Sequence, residues 1–133
     1  VETVNPSIPS TLDAAALCKM ADRRQITGGI LDGPLAFDNA ISMQAAQIKD
    51  INSPVAGQAD ILAVPDLESG NMLAKQLDYL AGASSSGIVL GARVPIALTS
   101  RAEGPQARVA SALLSRLVAH HRSRTAASES SVG

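Results

Sequence analysis

Apolar residues along this chain alternate between two rhythms, short continuous runs and stretches with helical spacing. The clearest pair begins with Ile61-Leu62-Ala63-Val64, inside a predicted strand over residues 59–64. Leu73, Leu77 and Leu80 follow at helical spacing and predict an amphipathic helix over residues 69–81. The same alternation continues on both sides. Residues 1–4 read as the end of a strand, followed by a Pro-bearing loop over 5–9. Ser10 and Asp13 form a Ser-x-x-Asp capping box that opens a helix to Arg23 or Arg24. Residues 28–31 predict a second strand, weakened by Gly28 and Gly29. Asp32-Gly33-Pro34 then turns the chain into a helix through Ile41, Ala45 and Ile48, and a loop over 51–57 leads to the 59–64 strand. Beyond residue 81, small residues 82–86 make a break before short strands at 87–90 and 94–98. A final helix runs from Pro105 to His121, with Val109, Leu113 and Leu117 among its apolar positions. The Ser/Ala-rich residues 123–133 are expected to form a disordered tail. Strands separated by helices predict an α/β fold with a mostly parallel sheet flanked by helices.

Composition sharpens this. Hydrophobic residues make up 46% of the 133, yet Phe37 and Tyr79 are the only aromatics, so the core must be built from Ala, Leu, Ile and Val. A net charge of −1 gives no basic footprint and there are no stacking platforms, which argues against nucleic acid as a partner. Cys18 is the single cysteine, which rules out an intrachain disulfide, and its apolar neighbours Ala14, Leu17 and Ala21 mark it as an inert thiol. No run approaches membrane-spanning length and no signal pattern opens the chain, so a cytoplasmic protein with no membrane partner is expected. The opening Val1-Glu2-Thr3-Val4, in mid-strand and without Met, suggests a fragment of a longer chain. His120 and His121 sit beside Arg122 and Arg124 at a helix end, with no acid or Cys at ligand spacing, and no metal is expected there.

Three crossings from an apolar run could carry chemistry, because ligands of parallel α/β sheets bind outside the carboxyl ends of the strands. The first holds Asp38 and Asn39, in a helix's first turn, where the dipole alone also favours an acid. The second is Pro65-Asp66-Leu67-Glu68-Ser69-Gly70-Asn71, a helix start suited to an anion, with Lys75 four residues past Asn71 on the same face. A well-capped turn and a solvated lysine would read the same. The third is Thr99-Ser100-Arg101, where an Arg fork can hold a phosphate through two parallel hydrogen bonds and Ser100 can add a donor. An Arg closing a surface loop would look alike. All three crossings are expected on one edge of one sheet.

At these segments the chain resembles a known family. Asp32-Gly33-Pro34-Leu35-Ala36-Phe37-Asp38-Asn39-Ala40-Ile41-Ser42 is similar to the DGPxxxDNAIS segment of the phosphate acetyl/butyryltransferases. Val55-Ala56-Gly57-Gln58-Ala59-Asp60, Pro65 to Asn71 and Lys75 resemble their VAGxAD and PDLExGN signatures. Gly91-Ala92-Arg93-Val94-Pro95-Ile96 with Ser100-Arg101 resembles their closing motif. The likeness covers residues 1–122 and is nearest the butyryl-type branch, including bifunctional enoyl-CoA hydratase/phosphate acetyltransferases.

The resemblance implies a partial two-domain phosphotransacylase (isopropylmalate dehydrogenase-like) fold. Residues 1–92 would belong to the second domain, and 93–122 would return to the first. It implies reversible acyl transfer between CoA and phosphate, with CoA a substrate, no cofactor, and a homodimer. Carried onto this sequence, Ser100 and Arg101 are the expected catalytic pair, and Asp38, Asn39, Asp66, Gly70, Asn71 and Lys75 the expected substrate-binding set. Acetyl-specific members place an aspartate seven residues after that Ser, where this chain has Ala107. Glu103 lies at a different spacing and receives no base role. Two other readings stand beside this one, a non-catalytic dimerisation or regulatory module and a phosphate acyltransferase using acyl carrier protein.

Overall fold

A computed structural model describes residues 1–130. The elements run α1 (Pro9–Asp22), α2 (Phe37–Ile41), α3 (Met43–Ile48), α4 (Leu67–Leu80), β1 (Gly87–Val89), β2 (Ile96–Leu98) and α5 (Pro105–Ser130). The chain divides into two compact units, Val1–Leu67 and a second that begins at Glu68.

In the first unit, α1 starts at Pro9, whose ring presets φ and whose missing N–H costs nothing at a helix start. The Ser10/Asp13 capping box does not form; Ile8 is the N-cap and supplies no side-chain bond. Thr11 ties down the helix start instead. Its buried Oγ1 accepts the Asn5 N–H at 2.9 Å and shares its own proton between Ile8 O (2.8 Å) and Asn5 O (3.0 Å).

The single helix expected after Pro34 is two. Ser42 adopts extended backbone between α2 and α3, and its Oγ accepts the Ala45 N–H at 3.3 Å. The apolar core of this unit is Ala40, Ala46 and Ala56, all nearly free of solvent contact. Such small side chains let backbones approach closely. Gly57 N–H donates to Asn39 O at 2.8 Å and Ala59 N–H to Ala40 O at 3.0 Å. Gly57 has φ +83°, and a Cβ there would lie 2.5 Å from Met43 Cα, so only glycine fits.

The mostly parallel sheet expected from the sequence is not seen among the described residues. Residues 1–4, 28–31 and 59–64 have no ladder partner among the described residues, and Ile61 is 86% exposed. An apolar run becomes a strand only where a neighbour accepts and donates its hydrogen bonds. The ladder that does form, in the second unit, is antiparallel, pairing Gly87 with Leu98, Ile88 with Ala97 and Val89 with Ile96. Residues 90–95 between these strands are too few for a parallel crossover, which takes about a dozen residues. The expected 92/93 junction falls inside this short connection.

α5 packs on both strands. Ser111, fully buried on α5, accepts the Gly87 N–H at 3.0 Å and donates to Ala107 O at 2.8 Å. About three turns of helix nearer the carboxyl end, Arg122 Nη1 donates to Ala92 O at 2.8 Å. The helix passes His121 and takes in residues 123–130, where a disordered tail is expected; the stretch has no Gly or Pro to stop it. Residues 131–133 of that tail lie outside the described residues. No described helix is long and apolar enough to cross a membrane.

Candidate functional site

In the second unit one expected site residue, Lys75, lines a cavity, which the turn after β2 reaches through the residues that follow Ser100 and Arg101. After β2, Ser100 closes a tight turn: its carbonyl accepts the Glu103 N–H at 3.2 Å, and its Oγ accepts the Ala102 N–H at 3.3 Å. That Oγ keeps its own proton for another acceptor. Arg101, at the apex of the turn, is exposed, while Ser100 is half-buried.

Beyond the apex, Ala102, Glu103 and Gly104 reach a cavity of about 400 Å³ whose facing wall carries Lys75, Asp78 and Tyr79 of α4. Lys75 Nζ lies 3.7 Å from Asp78 Oδ2, so those two charges answer each other. Glu103 is different: its Oε2 is buried and meets no hydrogen-bond donor among the described residues.

α4 begins at Leu67 rather than Ser69, which changes the meaning of the 66–71 segment. In a helix the fourth residue is the first whose N–H bonds back to the residue ahead of the helix. Gly70, the fourth helical residue, therefore lies where the intrahelical bonds begin, and the Asn71 side chain, exposed one turn before Lys75, offers an amide rather than a backbone donor. Asp66 is exposed immediately ahead of the helix.

Asp38 and Asn39 lie in the first unit and have different surroundings. Asp38 is exposed and meets Lys49 Nζ at 3.0 Å through Oδ2 and 3.2 Å through Oδ1. That hydrogen bond holds the Asp38 carboxyl below the usual carboxylate range and pushes the Lys49 ammonium up. Glu2 joins the group, 3.5 Å from Lys49 Nζ. Asn39 faces inward and is fully buried; its Nδ2 donates to Glu2 Oε2 at 3.3 Å, while Oδ1 has no partner. Glu2 and Lys49 carried no motif signal, being single charges in polar surroundings. Glu103 carried none either, since its spacing from Ser100 differs from that of the family's aspartate.

Among the described residues only the third crossing follows a strand of the observed ladder, so a sheet edge shared by all three is not seen. Cys18 donates from Sγ to Gly33 O at 3.6 Å, and burial, with Asp32 and Asp22 nearby, pushes its thiol up. No group of three or more His, Cys, Asp or Glu among the described residues could hold a metal ion.

Residues 1–115 match the family described as phosphate acetyl/butaryl transferase. The chain is 66% identical over 122 residues to a phosphate acetyltransferase of Rhizobium meliloti, covering 92% of this chain and 39% of that protein. It is 47% identical over 122 residues to a phosphate butyryltransferase of Clostridium acetobutylicum, covering 92% and 40%. Among solved structures, a branched-chain phosphotransacylase from Enterococcus faecalis V583 matches with a TM-score of 0.75 and 33% identity, over 87% of this chain and 41% of that one. The chain thus spans about two fifths of the length of these relatives.

Proposed function

Because this chain belongs to the phosphate acetyl/butyryltransferase family, we propose that the full-length protein transfers an acyl group reversibly between CoA and inorganic phosphate. The observation that carries this reading is that Lys75 shares a cavity with Glu103, whose N–H is bonded to Ser100 O, within the stretch that matches the family.

In the direction of acyl-CoA synthesis, the CoA sulfur attacks the acyl-phosphate carbonyl and phosphate leaves. The enzyme has to align two anionic substrates and stabilise negative charge on oxygen as the carbonyl is attacked. Arg101, exposed and so open to a ligand, clamps the phosphate with its planar fork. The Ser100 hydroxyl donates its proton to a reacting oxygen. Asn71 and Lys75 supply an amide and a charge along one helix face, Gly70 leaves room for the substrate beside them, and Asp66 stands at the start of the helix. In the first unit taken by itself, Asp38, paired with Lys49, and Asn39, anchored to Glu2, are the residues assigned to substrate binding.

On this reading CoA is a substrate and no cofactor is required, and the protein works as a homodimer in the cytoplasm. The extended runs at 28–31 and 59–64 join a parallel sheet in the longer chain. Residues 1–92 there belong to its second domain and 93–122 pack on its first. The acetyl group is the preferred acyl chain, since the acetyl-named relative is the more similar of the two.

The test is an assay of the full-length protein with acetyl-CoA and butyryl-CoA, following release of the free thiol. Phosphate-dependent release, faster with acetyl-CoA, is expected. Thiol release that is absent, or indifferent to phosphate, would refute the assignment.

A further inference from the structure

We infer that Glu103 is the proton acceptor for the CoA thiol, working from the cavity beside the Ser100–Arg101 turn. The inference rests on the phosphate acyltransferase reading and adds to it a catalytic residue. It starts from a chemical requirement. A thiol with an unperturbed pKa of about 8.5 is only a few per cent thiolate at neutral pH, and the thiolate is the nucleophile. The proton has to leave as the carbon–sulfur bond forms.

Three observations single out Glu103. Its buried Oε2 has no donor among the described residues, so a lone pair is left for a ligand's proton. It lines a cavity of about 400 Å³ whose remaining walls are largely Ala, Ser and Gly, slim enough to admit the narrow thiol arm of CoA. And its own N–H is bonded to Ser100 O at 3.2 Å, which fixes it one turn away from the residues that would hold the phosphate.

The other titratable groups on the cavity are Lys75, Asp78 and Tyr79, all from α4; the α5 side offers only Gln106, Ala107 and Ala110. Asp78 already answers Lys75. Glu103 is the acid in the cavity with acceptor capacity to spare.

The step balances. Glu103 takes the thiol proton as sulfur attacks the carbonyl carbon; the carbon–sulfur bond forms and the carbon–oxygen bond to phosphate breaks. Glu103 then passes the proton to the departing phosphate and is a carboxylate again. In reverse, the same group takes the proton from the attacking phosphate and returns it to the sulfur.

The experiment compares Glu103→Gln and Glu103→Asp with the unmodified full-length enzyme, measuring kcat and KM for CoA across pH. Glu103→Gln should lower kcat about 100- to 10,000-fold near neutrality, the range for a positioned acid–base group, with KM for CoA within a few-fold. It should also lose the acid limb of the pH profile and regain rate as pH rises toward the thiol's own pKa. Glu103→Asp should be slower but keep the acid limb. A kcat within about threefold of the parent and an unchanged profile in Glu103→Gln would overturn the inference while leaving the acyltransferase reading intact. If the Gln variant does not fold, loss of the acid limb in folded Glu103→Asp overturns it equally. An inactive unmodified enzyme would overturn both.

Discussion

Arg101 is exposed at the apex of a turn whose hydrogen bonds run between Ser100, Ala102 and Glu103, and its own side chain is no part of that framework. Truncating it should therefore cost charge at the phosphate rather than stability. In the full-length enzyme, Arg101→Ala should lower turnover about 100- to 1000-fold, the usual cost of losing one well-placed electrostatic donor. Its melting temperature should stay near the parent's. Arg101→Lys should rescue little, because an ammonium keeps the charge without the planar fork. Steady-state kinetics beside thermal melts decide the matter. A large drop in melting temperature with near-normal turnover would mean that Arg101 braces the loop into α5. Asn39 shows the opposite arrangement, a side chain whose surroundings are internal, so its influence on a ligand would pass through the backbone it shares with Gly57.

Among the elements, α5 and the β1–β2 pair depend on one hydroxyl. Ser111 is fully buried and satisfies the Gly87 N–H while returning its proton to Ala107 O. Ser111→Ala would leave that N–H without its partner, and an orphaned buried donor costs about 1–3 kcal/mol. A loss of this size in chemical denaturation of the full-length protein is expected; a change below about 0.5 kcal/mol would mean that water takes over the bond. Helices were the legible part of this chain because each carries its own hydrogen bonds and its own period. The α4 span was read within two residues at its start and one at its end, from Leu73, Leu77 and Leu80 alone. Strands were less legible because their partners are written elsewhere. Residues 59–64 have the apolar run but no neighbouring strand, whereas 87–89 and 96–98 find each other across a short connection and pair antiparallel. In the site, Ser100 and Arg101 could be read from type and spacing. The cavity that Glu103 shares with Lys75 could not, since it depends on how α4 and the start of α5 face each other.

Over the whole molecule, the buried apolar residues among those described are three alanines, while Leu67 and Leu80 are each 83% exposed and Ile61 is 86% exposed. A core of that size supplies little of the roughly 25 cal/mol per Å² that burial of apolar surface yields. The 133-residue chain by itself should accordingly show no phosphate acyltransferase activity, although it holds Ser100, Arg101 and Glu103. Phosphate-dependent thiol release by the isolated chain, assayed as for the full-length protein, would contradict this. The exposed run Ile61-Leu62-Ala63-Val64 has a further consequence, for colloidal behaviour. Apolar stretches with free edge groups template pairing between chains, and six or seven such residues suffice for a dry zipper. Here the run stops at four, with a charge at Asp60 on one side and Pro65, which cannot donate to a ladder, on the other. The same two residues that bound the segment in sequence thus act as gatekeepers against self-association whenever it is uncovered.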